Sequence, residues 1–209
     1  VASFLNPHDI CLESSTNLSS EVIGKKEGKK SLITQCVRQM RARAAAIDSV
    51  EFYREHAPAL PFNFAKTDGF PDMKKSPYKD FPDWYWRKYR WTYGQLVALV
   101  DSHIGHILDA LDRHPELKRN TIIVFTSDHG EMQGAHHTVT KNLPYDECQR
   151  VPLIFCGRGI AHGERDNSLV CNGTDLLPTI CQLAGIPLPA KTDGLSLADR
   201  VLGRGKAPQ

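Results

Sequence analysis

Two periodicities organise the apolar positions of this chain. Between Trp84 and His114 apolar residues return every three or four positions, at Trp86, Tyr89, Tyr93, Leu96, Val97, Val100, Ile104, Ile107, Leu108 and Leu111. That stripe predicts an amphipathic helix. Asp101, His103 and His106 fall within it and are expected to be structural or to face solvent, because a helix packed along a sheet carries its polar residues away from the strand tips. The pattern then changes. Thr121-Ile122-Ile123-Val124-Phe125-Thr126 is an unbroken, mostly β-branched run, which predicts a strand buried on both faces, as in a parallel sheet. Arg150-Val151-Pro152-Leu153-Ile154-Phe155 predicts another. A long helix feeding directly into a buried strand is one unit of an α/β fold, with a mostly parallel central sheet flanked by helices.

The remaining elements are weaker. Val1 to Leu5 predicts a short strand leaving through Asn6-Pro7-His8-Asp9, where Pro7 fixes the backbone and aims His8. Leu32 to Glu55 predicts a helix with Cys36, Val37, Met40, Ala44 and Ile47 near one face. Ala57 to Pro82 carries five prolines and predicts a long ordered loop of the kind that shapes a substrate pocket. Gly157-Arg158-Gly159 is a turn, and Leu169-Val170 a brief strand. Thr174 is placed as the cap of a helix from Asp175 to Ala184, with Pro178 in its first turn and Gly185 just past its end. An acidic residue in a first turn offsets the helix dipole, so Asp175 needs no catalytic explanation.

Composition narrows the class. The 209 residues suffice for one sizeable core, and 26 basic against 24 acidic residues give no bulk attraction to nucleic acid. No apolar run approaches a membrane span, and no signal-peptide pattern opens the sequence. Val1 begins in mid-strand without Met, as a piece of a longer chain would. The six cysteines stand singly with no CxxC pair, against a zinc finger or a redox motif. Cys156 and Cys181 lie in apolar contexts and are expected to be buried thiols.

The candidate chemistry lies where the central strand ends. Ser127, Asp128 and His129 occupy that corner, and Gly130 lets the backbone turn. Ligands of open α/β sheets bind at the carboxyl ends of strands. A carboxylate beside an imidazole there suits a metal or an acid–base pair. A polar loop follows, Lys141-Asn142-Leu143-Pro144-Tyr145-Asp146-Glu147, running into Arg150-Val151-Pro152. The whole passage closely resembles the sulfatase family of the alkaline-phosphatase superfamily, and its glycan-degrading bacterial members in Asn6-Pro7-His8-Asp9-Ile10 and Gly134-Ala135-His136-His137.

That resemblance implies a partial sulfatase catalytic domain over residues 1–209. Residues 1–10 would supply a strand and an active-site histidine, 11–80 variable substrate loops, and 81–200 core helices and strands. It implies metal ligation by Asp128 and His129, the latter standing where many relatives have Asn. Lys141 would contact a sulfate oxygen, and His8 would hold the ester oxygen and protonate the leaving alcohol. His136 and His137 are candidates for the pocket rim, where a sugar would sit. Calcium is the implied metal, with zinc or magnesium as alternatives, since an imidazole is softer than calcium's usual oxygen cage.

The family's nucleophile is a formylglycine made from the Cys or Ser of (Cys/Ser)-x-Pro-x-Arg, and no such pattern occurs in these residues. It is expected upstream, installed by a formylglycine-generating enzyme, as are further calcium-binding aspartates. Asp193-Gly194-Leu195-Ser196-Leu197 resembles the segment that closes the family's main domain, and the small C-terminal subdomain that the resemblance puts after it is expected to be absent from these residues. The implied substrate is a sulfated carbohydrate, with no nucleic acid and no membrane span, in the periplasm or outside the cell. Two other readings stay open. One is a zinc phosphodiesterase or phosphonate hydrolase of the same superfamily, although no Asp here has His four residues later. The other is a non-catalytic module that binds sulfated glycans.

Overall fold

A computed structural model describes residues 48–67, 80–141, 143–167 and 170–205. The expected strand at Val1–Leu5, the helix from Leu32 as far as Ile47, and Leu169 lie outside the described residues. Those that are described fall into two compact units. One comprises residues 48–106 with 131–148, the other 107–130 with 149–205.

In the first unit, helix α1 (Val50–His56) opens at Ser49, whose extended backbone and side-chain oxygen cap it by accepting from the Phe52 amide at 3.0 Å. The end of the expected 32–55 helix is therefore a separate seven-residue helix with its own cap. It stops at Ala57, extended before Pro58. Helix α2 (Asp83–Asp112), whose last six residues are counted with the second unit, matches the apolar stripe almost to its ends. Its termination follows from Pro115, which drives His114 out of helical conformation and restarts the chain as the short α3 (Pro115–Arg119). Asp101, His103 and His106 are exposed, as expected.

Burial along the α2 stripe is uneven. Trp86, Tyr89 and Leu96 are buried, and Val139, Leu60, Phe64 and Phe81 pack around the first two. Val97, Ile107 and Leu108 are exposed, so among the described residues only the early turns of α2 find a covering layer. That layer comes close because of Gly134. With φ +90 it adopts a left-handed conformation, and a Cβ there would stand 3.3 Å from the Trp86 ring.

In the second unit, strands β1 (Ile122–Thr126) and β2 (Leu153–Gly157) pair antiparallel, with Ile122 opposite Gly157 and Thr126 opposite Leu153. Both strands lie where the apolar runs predict, but the one pairing described is antiparallel. Their faces are also less buried than expected. Phe125 and Ile154 are exposed, as is Cys156, which was expected to be buried; Cys181 is buried. The cause is local: with one neighbour each, these strands present faces that no further described strand covers. Gly157 closes the ladder at φ +115, where a Cβ would fall 2.3 Å from the Thr121 carbonyl oxygen.

After the short helix α4 (Asp146–Gln149), helix α5 (Asn172–Ala184) begins three residues before the expected Asp175, after Cys171, and ends at the left-handed Gly185. Pro178 consequently sits in the helix interior and not in its first turn. Lacking an N–H, it cannot serve the Thr174 carbonyl one turn back. Gly194 approaches that same carbonyl so closely that a Cβ would lie 2.0 Å from its oxygen. The segment is tied down beside it: Leu195 N donates to Asp175 Oδ1, and Leu197 N to Thr179 Oγ1, each at 2.9 Å. Short helix α6 (Ala198–Val201) follows. Gly194→Ala should therefore cost about 1–3 kcal/mol by forcing the backbones apart. Chemical denaturation measures this, and an unchanged midpoint would refute the close-approach argument.

Candidate functional site

The corner after β1 is built by three consecutive side chains. Ser127 Oγ donates to the His129 carbonyl at 2.7 Å and lies 3.3 Å from Asp128 Oδ1, which also accepts from the His129 amide at 3.0 Å. These bonds fix the carboxylate by its Oδ1 and leave Oδ2 facing His129 Nε2 at 3.3 Å. The imidazole is fixed from its other side, with Nδ1 2.9 Å from the Gly130 carbonyl. A carbonyl only accepts, so that bond places a proton on Nδ1 and leaves Nε2 as the nitrogen that faces Asp128. Burial acts to raise the Asp128 carboxyl. The adjacent His129 and the hydrogen bonds from the His129 amide and Ser127 outweigh it, holding the carboxyl below its usual value. The pair is open, Asp128 being 80% exposed at its side chain and His129 36%. A cavity of about 370 Å³, lined by Thr126, Ser127, Asp128, Gly173 and Leu176, opens beside it.

Two lone-pair donors facing one another need a positive charge between them, either a proton or a cation. Adjacent ligands of one metal, each about 2.2 Å from it, stand roughly 3 Å apart, and Asp128 Oδ2 and His129 Nε2 have that spacing. The donors therefore fit a divalent cation as two of its ligands. No group of three or more His, Cys, Asp or Glu suited to a metal occurs among the described residues.

His136, His137 and Lys141 belong to the first unit, on the loop from Glu131 to Tyr145. Every non-glycine residue with positive φ among those described lies in this loop: Gln133, His136, His137 and Thr140. Lys141 directly follows the last of them. It is half-buried, and among the described residues no carboxylate pairs with it.

His136 stands differently from a rim residue with a free edge. Its Nδ1 meets the Lys66 carbonyl at 2.7 Å, its Nε2 meets Asn63 Nδ2 at 3.1 Å, and its ring stacks on Tyr145 at 3.8 Å. Both nitrogens are engaged within the protein. Asn63, itself buried, is oriented by donating to Glu147 Oε1 at 2.7 Å. The His137 ring lies against Phe64 and Trp86, with Nε2 buried and without a hydrogen-bond partner among the described residues. His8 lies outside the described residues.

Sequence reasoning missed two groups. Glu131, inside the motif Asp128-His129-Gly130-Glu131, accepts from the Tyr89 hydroxyl at 3.0 Å and from the Thr140 amide. Its place directly after the candidate ligands was the available signal. Nothing in the sequence marks Asn63, which meets His136 across 73 residues.

The Sulfatase family model matches residues 17–186. Among curated proteins, the Delta 4,5-hexuronate-2-O-sulfatase of Bacteroides thetaiotaomicron is 40% identical over 121 residues, covering 56% of this chain and 25% of that protein. The chain thus spans about a quarter of the length of this relative. A solved sulfatase-family structure from the same organism superposes with a TM-score of 0.71 at 26% identity, over 99% of this chain and 42% of that one. A phosphonate monoester hydrolase from Silicibacter pomeroyi superposes with a TM-score of 0.59 at 29% identity, over 73% and 33% of the two chains. These structural neighbours have the α/β alkaline-phosphatase and sulfatase fold.

Proposed function

The chain belongs to the sulfatase family, and on that premise we propose that it is part of an enzyme that hydrolyses sulfate esters on a carbohydrate. The observation that carries this reading is the facing pair at the end of β1, Asp128 Oδ2 and His129 Nε2 at 3.3 Å. A carboxylate held ionised and an imidazole held in one tautomer are what a divalent cation needs from two of its ligands. When bound, such a cation supplies Lewis-acid polarisation of a sulfate oxygen.

The residues of this chain have distinct tasks. Asp128 and His129 hold the cation, with Ser127 and the Gly130 carbonyl keeping them in register. Lys141, whose ammonium has no described carboxylate to neutralise it, offsets negative charge on a sulfate oxygen as the ester bond breaks. His8 gives its proton to the departing alcohol oxygen. His136 and His137 serve the loop that carries Lys141, and through it the sugar-facing rim. The formylglycine nucleophile of the family is not encoded in these residues. This reading places it upstream in the full-length protein, where a formylglycine-generating enzyme acts on it. Calcium is the metal proposed, in an enzyme exported to the periplasm or beyond. Among the described residues no helix is long and apolar enough to cross a membrane.

One observation favours a second reading. A nitrogen donor at position 129 suits zinc better than calcium, and a phosphonate monoester hydrolase is among the structural neighbours. A substrate panel separates the two. The full-length protein should release sulfate from 2-O- and 6-O-sulfated sugars and leave phosphonate and phosphodiester substrates largely intact. The reverse preference would sink the sulfatase reading, and binding of sulfated sugars without release would point to a non-catalytic module.

A further inference from the structure

We infer that Glu131 is a positioning residue that sets the backbone from which Lys141 projects. The inference rests on the role proposed for Lys141. Glu131 Oε1 accepts from the Thr140 amide, and the Met132 amide donates to the Thr140 carbonyl at 2.9 Å. Both backbone polar groups of Thr140 are thereby pinned to the start of the loop, and Lys141 is the next residue. Thr140 has φ +72. For a β-branched residue that conformation is an outlier, which persists only where the surroundings impose it.

The clamp is anchored to a rigid element. The same carboxylate oxygen accepts from the hydroxyl of Tyr89, which is buried on α2. One turn of α2 thus holds Glu131 by Tyr89 and the adjoining Gln133 carbonyl by Arg90 Nη1, at 2.9 Å. Glu131 is the joint through which α2 fixes the residue before Lys141. It acts through Lys141 and needs no contact with substrate.

A double-mutant cycle in the full-length enzyme tests this, reading kcat and KM on a sulfated monosaccharide together with the thermal midpoint. Glu131→Ala should lower kcat about 10–100-fold with little change in KM. Glu131→Gln, whose amide oxygen still accepts both bonds, should recover most of that loss. In the Lys141→Ala background the same Glu131→Ala change should cost no more than about 2- to 3-fold, because the group it positions is gone.

Equal losses in both backgrounds would overturn the inference, since a merely structural residue lowers the folded fraction whatever stands at 141. If Glu131→Ala does not fold, Tyr89→Phe takes its place. It removes one of the two described donors, and should show a several-fold loss in kcat that vanishes in the Lys141→Ala background. No loss from Tyr89→Phe would overturn the inference too. A Lys141→Ala enzyme as active as the parent would instead refute the role of Lys141, and the inference with it.

Discussion

His129→Ala in the full-length enzyme is expected to lower sulfate-ester turnover by about 100-fold or more. Outer partners of metal ligands already cost about 10–100-fold when removed, and a ligand itself costs at least that. Asp128 Oδ1 is occupied by the Ser127 hydroxyl and the His129 amide, which leaves Oδ2 for a cation, and Nε2 of His129 is the nitrogen that faces it. Without the imidazole, Oδ2 is one oxygen at an open surface. Excess divalent cation should restore part of the lost rate, and a chelator should reproduce the loss in the parent enzyme. His129→Asn should retain more activity than His129→Ala and shift preference from zinc toward calcium, because an amide oxygen is a harder donor. Turnover and metal binding by calorimetry measure this. A His129→Ala enzyme with parental metal affinity would refute the ligand assignment.

The second large effect is expected at Lys141. Lys141→Ala should reduce kcat by about 10²–10³-fold, the range found when one preorganised charge-stabilising donor is removed from a transition state. KM should change less, since the ammonium does most for charge that develops as the ester bond breaks. Lys141→Arg keeps the charge but spreads it over a plane, and should recover only part of the loss. Steady-state kinetics on one sulfated sugar suffice, and a kcat within a few-fold of the parent would remove Lys141 from the proposed chemistry.

The elements that sequence reading placed well are those whose signal is periodic. Helix α2 was expected over Trp84–His114 and spans Asp83–Asp112, because ten apolar residues on one stripe leave no rival conformation. The strands fall on their apolar runs, and Gly185 ends α5 as its position suggested. The misses share another cause. Ser49 opens a new helix inside an expected one, and α5 begins at Asn172 although Thr174 offers a better capping side chain. In α5 the Asp175 carboxylate takes up the Cys171 amide at 2.9 Å and also ties Leu195, a tertiary contact that local propensity does not contain. The candidate site divides along the same line. The position of Asp128 and His129 just past the end of β1 was legible from the apolar run before them. The engagement of His136 with Asn63, and of Glu131 with Tyr89, depends on residues far along the chain.

The run of left-handed residues between Gln133 and Thr140 has a consequence for how this protein can change over generations. Each of the four costs about 1–2 kcal/mol, together roughly 4–8 kcal/mol. That is comparable with the whole stability of a typical domain, about 5–15 kcal/mol. A loop under that load has no shape of its own to inherit. Its shape is written on Tyr89 and Arg90 of α2 and on Asn63 and Lys66, which grip it. Mutational drift within the loop is therefore not the whole hazard to the placement of Lys141. A quiet substitution on α2 or near Asn63, dozens of residues away and at positions that carry no chemistry, reaches it as well.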